Sequence, residues 1–452
     1  MTFEAFFLFL RKEVIFMSSS FKIVRFNCCG MDVHKDIIVA TIGTTDRSTL
    51  MTDYIQETFG TLNPDLQKLV SWLKEHNCLD VCMESTGKYW IPPYNVLEDA
   101  GINICLAHPK YTKAIKGKKT DKKDSKWICD LYKCDLVKGS YIPPKDIRQL
   151  REIARYYFKL VYMRSSEYNR YQNCMTISNI GLGYVFTDTF GMSAQKVMNA
   201  VLESNTNEYD RDKILKLVHH SCKKKDKIMD AINGSVIESD ARFKMKAIQK
   251  HKKELDELID DCLVEMFTRA AKYSNRFQHI TEIPGISNLS AVLIIAEIGV
   301  NMDVWENGKQ LACWAGLTPG DNESAHKKKS TRITKAGQYL KPLLVQCALA
   351  SLKNKDGYFA IKYNRIKKRR GHKRALIAIA RMMLISIYHM IKTGEAFNPN
   401  DYEELMNPKS SKPPEPVYTV DSAIEYLKSQ GVDLATLQVK LQNSMTEPIT
   451  SS

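Results

Sequence analysis

No stretch of the sequence is an uninterrupted apolar run approaching the roughly 18 residues that a membrane span requires. None of its 12 cysteines forms a C-x-x-C pair. The first absence argues against a membrane partner, the second against a structural zinc site. Cys28 and Cys29 are adjacent, while Cys78/Cys82 and Cys129/Cys134 have spacings that identify no ligand set. Reduced thiols in a cytoplasmic, nucleoid-associated protein fit this pattern. Acid is scarce relative to base: 51 Asp and Glu against 66 Lys and Arg leave a net charge of +15 and a pI near 9.1. Such a surplus favours a polyanionic partner, nucleic acid first. No RNP-type aromatic motif is present, so an RRM-like sheet is not expected. Residues 1–16, MTFEAFFLFLRKEVIF, have an apolar stretch but carry Glu4 and no small-residue cleavage site, unlike a signal peptide. Met17 is an alternative start, and residues 1–20 are set aside from the fold.

What is present falls into blocks. Residues 21–142 alternate strand and helix patterns. FNCCGMDV, DIIVATIG and YIQETFG read as three successive strands; NPDLQKLVSWLKEH follows as a helix with Asn63 as its N-cap. DVCMEST and INICLAHP are further strands, with a helix between them and another toward SKWICDLYKC. Three strands and then strand–helix alternation match a ribonuclease-H-like (RuvC-like) order. Residues 143–275 are mostly helical. Ile147, Leu150, Ala154, Tyr157 and Val161 keep a seven-residue apolar pattern, as do Ile248, Leu255 and Cys262 with Leu258, Ile259 and Met266 between them. Long paired helices of coiled-coil type are expected, with residues 186–235 as an insertion of short helices and loops. Residues 276–400 read as a mainly helical third unit: a Pro-Gly turn at Ile283-Pro284-Gly285-Ile286, a loop DNESAHKKKSTRITKAG, and apolar helices. Residues 401–452 are a linker and tail. The expected class is therefore α/β plus α.

The chemistry concentrates at residues 116–126, KGKKTDKKDSK, where two acids stand among lysines. Asp121 and Asp124, at i and i+3, share one side of a helical turn. In the expected order, Asp32 ends the first strand and Glu84 lies at the end of a neighbouring one. Two-metal phosphodiester chemistry needs several carboxylates around two Mg²⁺ ions about 3.5–4 Å apart, and magnesium prefers such oxygens plus water and substrate phosphate. Lys113, Lys116, Lys118, Lys119, Lys122, Lys123 and Lys126 would then hold the backbone being cut. Each acid also has an ordinary reading: Asp32 capping a turn, Glu84 accepting from a following helix, Asp121 and Asp124 paired to neighbouring lysines. Further basic groups at His326-Lys327-Lys328-Lys329, Arg332, Lys335 and Lys367-Lys368-Arg369-Arg370 are candidate backbone binders or solvated faces. The Pro-Gly turn offers backbone N–H groups to phosphate, or is simply a core turn.

The segments GMDVHKD, VCMESTGKYW, LAHPKYTKAIKGKKTDKKDSK, EIPGISNLSA, WAGLTPG and STRITKAGQYLKPLL occur in this order. Together they resemble the DEDD insertion-sequence transposases of the one-ten family, over roughly residues 24–142 and 278–395. The resemblance implies a RuvC-like domain joined through long helices to a C-terminal transposase domain. It implies Asp32, Glu84, Asp121 and Asp124 as the acids binding two Mg²⁺ ions, and a serine nucleophile ahead of the Arg332-Ile333-Thr334-Lys335-Ala336-Gly337 stretch. Ser324, in Glu323-Ser324-Ala325-His326, is the best match, although the family's loop usually carries glycines there. Ser330 and Thr331 are rivals, and Tyr339 is a third whose apolar setting favours packing. The resemblance also implies donor and target DNA, a structured non-coding guide RNA, and a homodimer assembling to a tetramer. Two other functions remain open: a metal-dependent junction nuclease, needing the acids and no serine, and a catalytically silent nucleic-acid-binding protein.

Overall fold

The computed structural model describes residues 22–84, 87–112, 120–204, 208–320 and 332–406, with 323–324, 327–328, 330 and a few positions beyond 424. Lys113, Lys116, Lys118, Lys119 and Thr331 lie outside the described residues, as do the side chains of Ser324, Lys327 and Lys328.

β1 (Asn27–Val33), β2 (Ile37–Thr45) and β3 (Thr52–Gly60) run antiparallel as a meander. α1 (Asn63–Glu75) then crosses to β4 (Asp80–Glu84), and α2 (Ile91–Asp99) leads to β5 (Asn103–Ala107). The sheet order is β3-β2-β1-β4-β5, with β4 and β5 parallel to β1. This mixed α/β sheet is consistent with a ribonuclease-H-like unit. The central strands are continuous apolar runs because both faces are covered: Cys28, Cys29, Met31, Val33, Val81, Cys82 and Met83 are all buried. One boundary differs from the sequence reading. Leu62, not Asn63, holds the extended backbone before α1, and Asn63 is already helical with Pro64 beside it. Proline's fixed φ suits the first turn and draws the start back one position.

The other face of the sheet carries α3 (Asp121–Lys133), laid across β1 and β2. It comes so close that a Cβ on Gly30 would stand 2.2 Å from the Cys129 nitrogen and 2.3 Å from the Ser125 carbonyl oxygen. Only glycine permits this backbone-to-backbone approach. A polar cluster fixes the rotation of the helix: the buried Ser125 Oγ and Thr41 Oγ1 bond at 2.8 Å, and the exposed Gln56 covers them, its Nε2 donating to Thr41 Oγ1, Ser125 Oγ and the Lys122 carbonyl. Thr120 caps α3, its side chain accepting from the Lys123 N–H.

Beyond Pro143-Pro144 the chain is helical. α4 (Lys145–Ile177) and α5 (Ser239–Ala270) pair antiparallel, with Arg164 on Asp256 and Arg269 on Gln149. Leu160, Leu255 and Ile259 form their shared seam, but Leu258 faces solvent. A straight helix turns 3.6 residues per turn and drifts out of a strict seven-residue repeat. Residues between the two form short helices with their own core around Tyr171, Val197, Met198, Ile228 and Met245.

The largest core gathers α6 (Asn288–Ile298), α7 (Gly308–Trp314), α8 (Leu340–Ser351), α9 (Tyr358–Arg370) and α10 (His372–Thr393) around the start of α4. Ile283 and Ile286 of the Pro-Gly turn are buried in it. Between α7 and α8, the two-residue strands β6 (Glu323–Ser324) and β7 (Lys327–Lys328) pair antiparallel inside a stretch read from sequence as plain loop. α10 is the one helix among the described residues long and apolar enough to cross a bilayer. Its apolar face from Ala375 to Ile391 is instead buried against α7, α8 and α9. Arg374 and Arg381 interrupt the run, which is why a count of consecutive apolar residues passes over it.

Three arginines near the start of α4 join these parts. Arg148 forms a fork on Glu98 of α2 at 2.6 and 3.0 Å. Arg155 forms a second fork on the buried Glu297 carboxylate of α6 at 2.7 and 2.9 Å, and Arg151 donates to the Ala296 and Glu297 carbonyls.

Gly30→Ala is expected to push α3 off the sheet, costing about 1–3 kcal/mol as overpacking does. Chemical denaturation of the purified variant measures this; unchanged stability would mean that α3 does not lie where it is described.

Candidate active site

β1 and β4 are parallel and Met31 is paired with Met83, so the next residues lie side by side: Asp32, one residue before the end of β1 rather than at its end, and Glu84, the last of β4. α3 starts over the same end of the sheet. Asp32 is buried, Glu84 and Asp124 are half-buried, and Asp121 is exposed. Ligand atoms of Asp32, His34 and Asp121 all lie within 4.8 Å of one another. His34 Nε2 stands between the two acids, 3.3 Å from Asp32 Oδ2 and 3.6 Å from Asp121 Oδ1. Glu84 Oε2 accepts from Thr112 Oγ1 at 2.8 Å, at the end of the short helical turn Pro109–Thr112 that follows β5, rather than from the helix that follows β4. Asp124 is one turn farther along α3 and is not in the tight group. The geometry thus brings Asp32 and Asp121 together, sets Glu84 beside Asp32, and leaves Asp124 at the margin.

Burial pushes the Asp32 carboxyl above its ordinary value; His34 opposes this, while the charges of Asp121 and Glu84 add to it. The site therefore gathers more negative charge than it neutralises. Asp121 and Asp124 gain from the N-terminal end of the α3 dipole, but among the described residues neither is ion-paired to a lysine. Carboxylate oxygens of this kind are hard donors that suit a divalent cation. His34 places a ring nitrogen beside these oxygens, a group that the sequence reading did not assign. Its signal was there: in extended chain, residues at i and i+2 project to the same side, so His34 follows Asp32 onto one face.

The lysines divide. Lys122 and Lys123 are exposed on the first turn of α3, beside the acids. Lys126, expected to join them, turns away: its Nζ bonds Asp130 at 2.9 Å and lies 3.7 Å from the centre of the Tyr54 ring. Lys126 lies one turn beyond Lys122 and Lys123 on the same side of α3, and it is the Asp130 carboxylate and the Tyr54 ring that draw its side chain toward β3. Lys368, Arg369 and Arg370 form an exposed basic end of α9, and Arg332 and Lys335 are exposed too.

Ser324 lies in the β6–β7 hairpin, in register with Lys327. Just downstream, the backbone is held firmly. Gly320 N bonds the Arg332 carbonyl, Pro319 bridges Ile333, and Lys341 donates to the Thr334 carbonyl at 2.8 Å. Gly316 and Gly337, with φ of 70° and 67°, press their turns together, each placed where a Cβ would strike the other turn's carbonyl. Of the rival nucleophiles, Ser330 Oγ accepts from the Arg332 N–H at 3.2 Å. Tyr339 packs on Phe158 and lies under Arg155.

A buried acid near the end of a mixed sheet, with a helix bringing a further carboxylate beside it, is consistent with the metal-binding end of a ribonuclease-H-like DEDD unit. A family model described as "Transposase" matches residues 29–180, and a second, "Transposase IS116/IS110/IS902 family", matches residues 277–364. The chain belongs to this IS110 family of DEDD transposases, a family that implies divalent metal use, and it carries an acidic cluster able to hold such an ion. It is similar to the "Transposase for insertion sequence element IS1111A" of Coxiella burnetii, 30% identical over 146 residues, covering 31% of this chain and 40% of that protein. A candidate transposase of Sinorhizobium fredii, y4pF/y4sB, is 26% identical over 144 residues, covering 31% of this chain and 36% of that protein. The chain thus aligns with well under two thirds of the length of the curated relatives it matches.

Because the folded-state value of Asp32 is raised, its contribution to stability is full at acid pH and is lost as pH rises through that raised value. Near neutral pH the ionised group burdens the metal-free protein. Asp32→Asn is expected to raise the melting temperature in EDTA by a few degrees and to abolish the gain on adding Mg²⁺. Thermal denaturation with and without the cation checks both. An equal Mg²⁺ gain in variant and wild type would remove Asp32 from the ligand set.

Proposed function

We propose that this protein cuts and rejoins DNA as the transposase of an insertion sequence, using its acids to hold two Mg²⁺ ions and Ser324 as nucleophile. The observation that carries this reading is the meeting of Asp32, His34 and Asp121 at one end of the sheet, in a chain of the DEDD family. Asp32, Glu84, Asp121 and Asp124 are the residues that would hold the cations, with His34 adjoining. Bound there, Mg²⁺ would polarise the scissile phosphate and stabilise charge developing on it.

The chain's own groups do the rest. Lys122 and Lys123 grip the backbone next to the acids, and Lys116, Lys118 and Lys119 extend that grip. Lys328, Arg332, Lys335, Lys368, Arg369 and Arg370 supply a second set of phosphate contacts, whose counterion release would dominate affinity. Ser324 Oγ attacks phosphorus, a Ser–O–P bond forms, and a DNA oxygen leaves as a hydroxyl after taking up a proton. The serine's own proton passes to water or a carboxylate. A free hydroxyl of a second strand then attacks the phosphoserine and releases Ser324. The number of phosphodiester bonds is unchanged, so no ATP is consumed.

In this reading residues 21–142 are the catalytic unit, 143–275 a helical linker and 276–400 the nucleophile-bearing unit. A homodimer paired into a tetramer would bring acids and serine from different protomers together on donor and target DNA. A structured non-coding RNA would choose sequence by pairing, leaving shape and chemistry to the protein, a division known from guided systems.

Incubation with cognate DNA and Mg²⁺ should yield a denaturant-resistant protein–DNA adduct, absent in Ser324→Ala and in Asp121→Asn. Cleavage without any adduct in the wild type would favour the junction-nuclease reading instead. An adduct persisting in Ser324→Ala would transfer the role to Ser330 or Thr331.

A further inference from the structure

A cleft of ≈ 880 Å³ separates the β5 side of the sheet from the C-terminal core. One wall is β5 with residues 138–142; the other is residues 304–314 with Thr334 and Ala336. Its position matters. Ala107 at the end of β5 is paired with Glu84 and bridged to Gly139, so this wall adjoins the acid end of the sheet. Thr334 and Ala336 belong to the stretch that follows the Ser324 hairpin. The cleft therefore runs between the two halves of the candidate chemistry, though no acid or candidate nucleophile lines it.

Its lining is unusual in a basic surface. Tyr141 from the first wall meets Trp305 and Trp314 from the second in a tilted aromatic cluster, with ring centres 4.9 Å (Tyr141–Trp305), 5.2 Å (Trp305–Trp314) and 6.0 Å (Tyr141–Trp314) apart. Trp305 is only 5% exposed, and its Nε1 is buried with no hydrogen-bond partner among the described residues. The same holds for Thr334 Oγ1. Orphaned donors of this kind destabilise a fold unless something supplies acceptors. Lys138, exposed on the wall from the sheet side, adds a positive charge at the mouth.

We propose that this cleft receives a single unstacked nucleobase of a strand bound across the active site. Flat aromatic faces stack any base. An indole N–H and a hydroxyl match the ring nitrogens and carbonyl oxygens of base edges, and Lys138 meets the flanking phosphate. The volume lies within the about 300–1,000 Å³ of small-ligand sites; it admits a nucleotide and not a duplex. An extruded base here would hold the strand in register beside the acids without touching the reacting atoms, so the lining residues are positioning residues. The inference rests on the nucleic-acid reading above.

The test uses the full chain and three single strands of equal length: oligo-dT, oligo-U and a strand of abasic deoxyribose units. Intrinsic tryptophan fluorescence and anisotropy of end-labelled strands are read together. Oligo-dT or oligo-U should bind and quench tryptophan emission, and which of the two does so more strongly identifies the source strand. The abasic strand should bind more weakly, through phosphates, without quenching. Trp314→Ala should weaken the base-bearing strand about tenfold and leave the abasic strand unchanged, which also reports that the variant is folded. Trp314→Phe should restore binding, and Thr334→Val should weaken base-bearing strands alone. Equal binding of base-bearing and abasic strands, or equal loss of both in Trp314→Ala, overturns the proposal while the nucleic-acid reading stands. Failure of every strand to bind overturns both.

Discussion

The contact between the Gly30 backbone and the backbone of α3 is the constraint on which the site depends. A helix normally rests on a sheet through side chains. Here the missing Cβ lets Ser125 and Cys129 come down to the strand itself, and the Thr41–Ser125–Gln56 cluster then fixes how the helix is turned. This brings the first turn of α3 over the end of β1, where Asp121 reaches His34 and, through it, Asp32. A helix held at ordinary distance would carry the same aspartates several ångströms away. Burial is what chiefly raises Asp32, and the nearby charge of Asp121 that this approach brings adds to it.

A second constraint acts at longer range. Arg148, Arg151 and Arg155 occupy successive turns at the start of α4, where one helix touches both the sheet unit and the C-terminal core. Forked arginine–carboxylate pairs define direction as well as distance. Burying the Glu297 carboxylate makes its partner hard to lose, because an unpaired charge there would be costly. With Tyr141 donating to the Ile298 carbonyl, these bonds hold the two walls of the aromatic cleft at a set separation. The cleft is thus a product of the joint between units rather than of either unit alone.

The transposase reading gains from the division of labour that the fold displays. Acids lie on rigid strand ends and a pinned helix, where carboxylate geometry is fixed by packing. The Ser324 segment sits on a two-residue hairpin between firmly packed turns. Basic groups are distributed over both parts, on the first turn of α3 and at the exposed end of α9, so a polyanion spanning them would bridge the units. Lys368, Arg369 and Arg370, in the last turn of α9, also complement that helix's dipole, so there binding and folding draw on the same charges; Lys122 and Lys123, at the N-terminal end of α3, have no such role.

The sequence alone determined the strand and helix succession, because apolar runs, Pro-Gly turns and helical spacing are local properties. It also marked Asp32, Glu84, Asp121 and Asp124, which stand out as acids in apolar or basic surroundings. It did not determine that Lys126 turns to Asp130, that Leu258 leaves the helix seam, or that α10 is a core helix with the composition of a membrane span. Those outcomes depend on what each side chain meets across the fold. Nor did it assign His34, whose meaning comes from a helix about ninety residues later arriving beside it. Local pattern set the elements; only the tertiary structure decided which charges share a site, since distance between carboxylates is a property of packing and not of spacing along the chain.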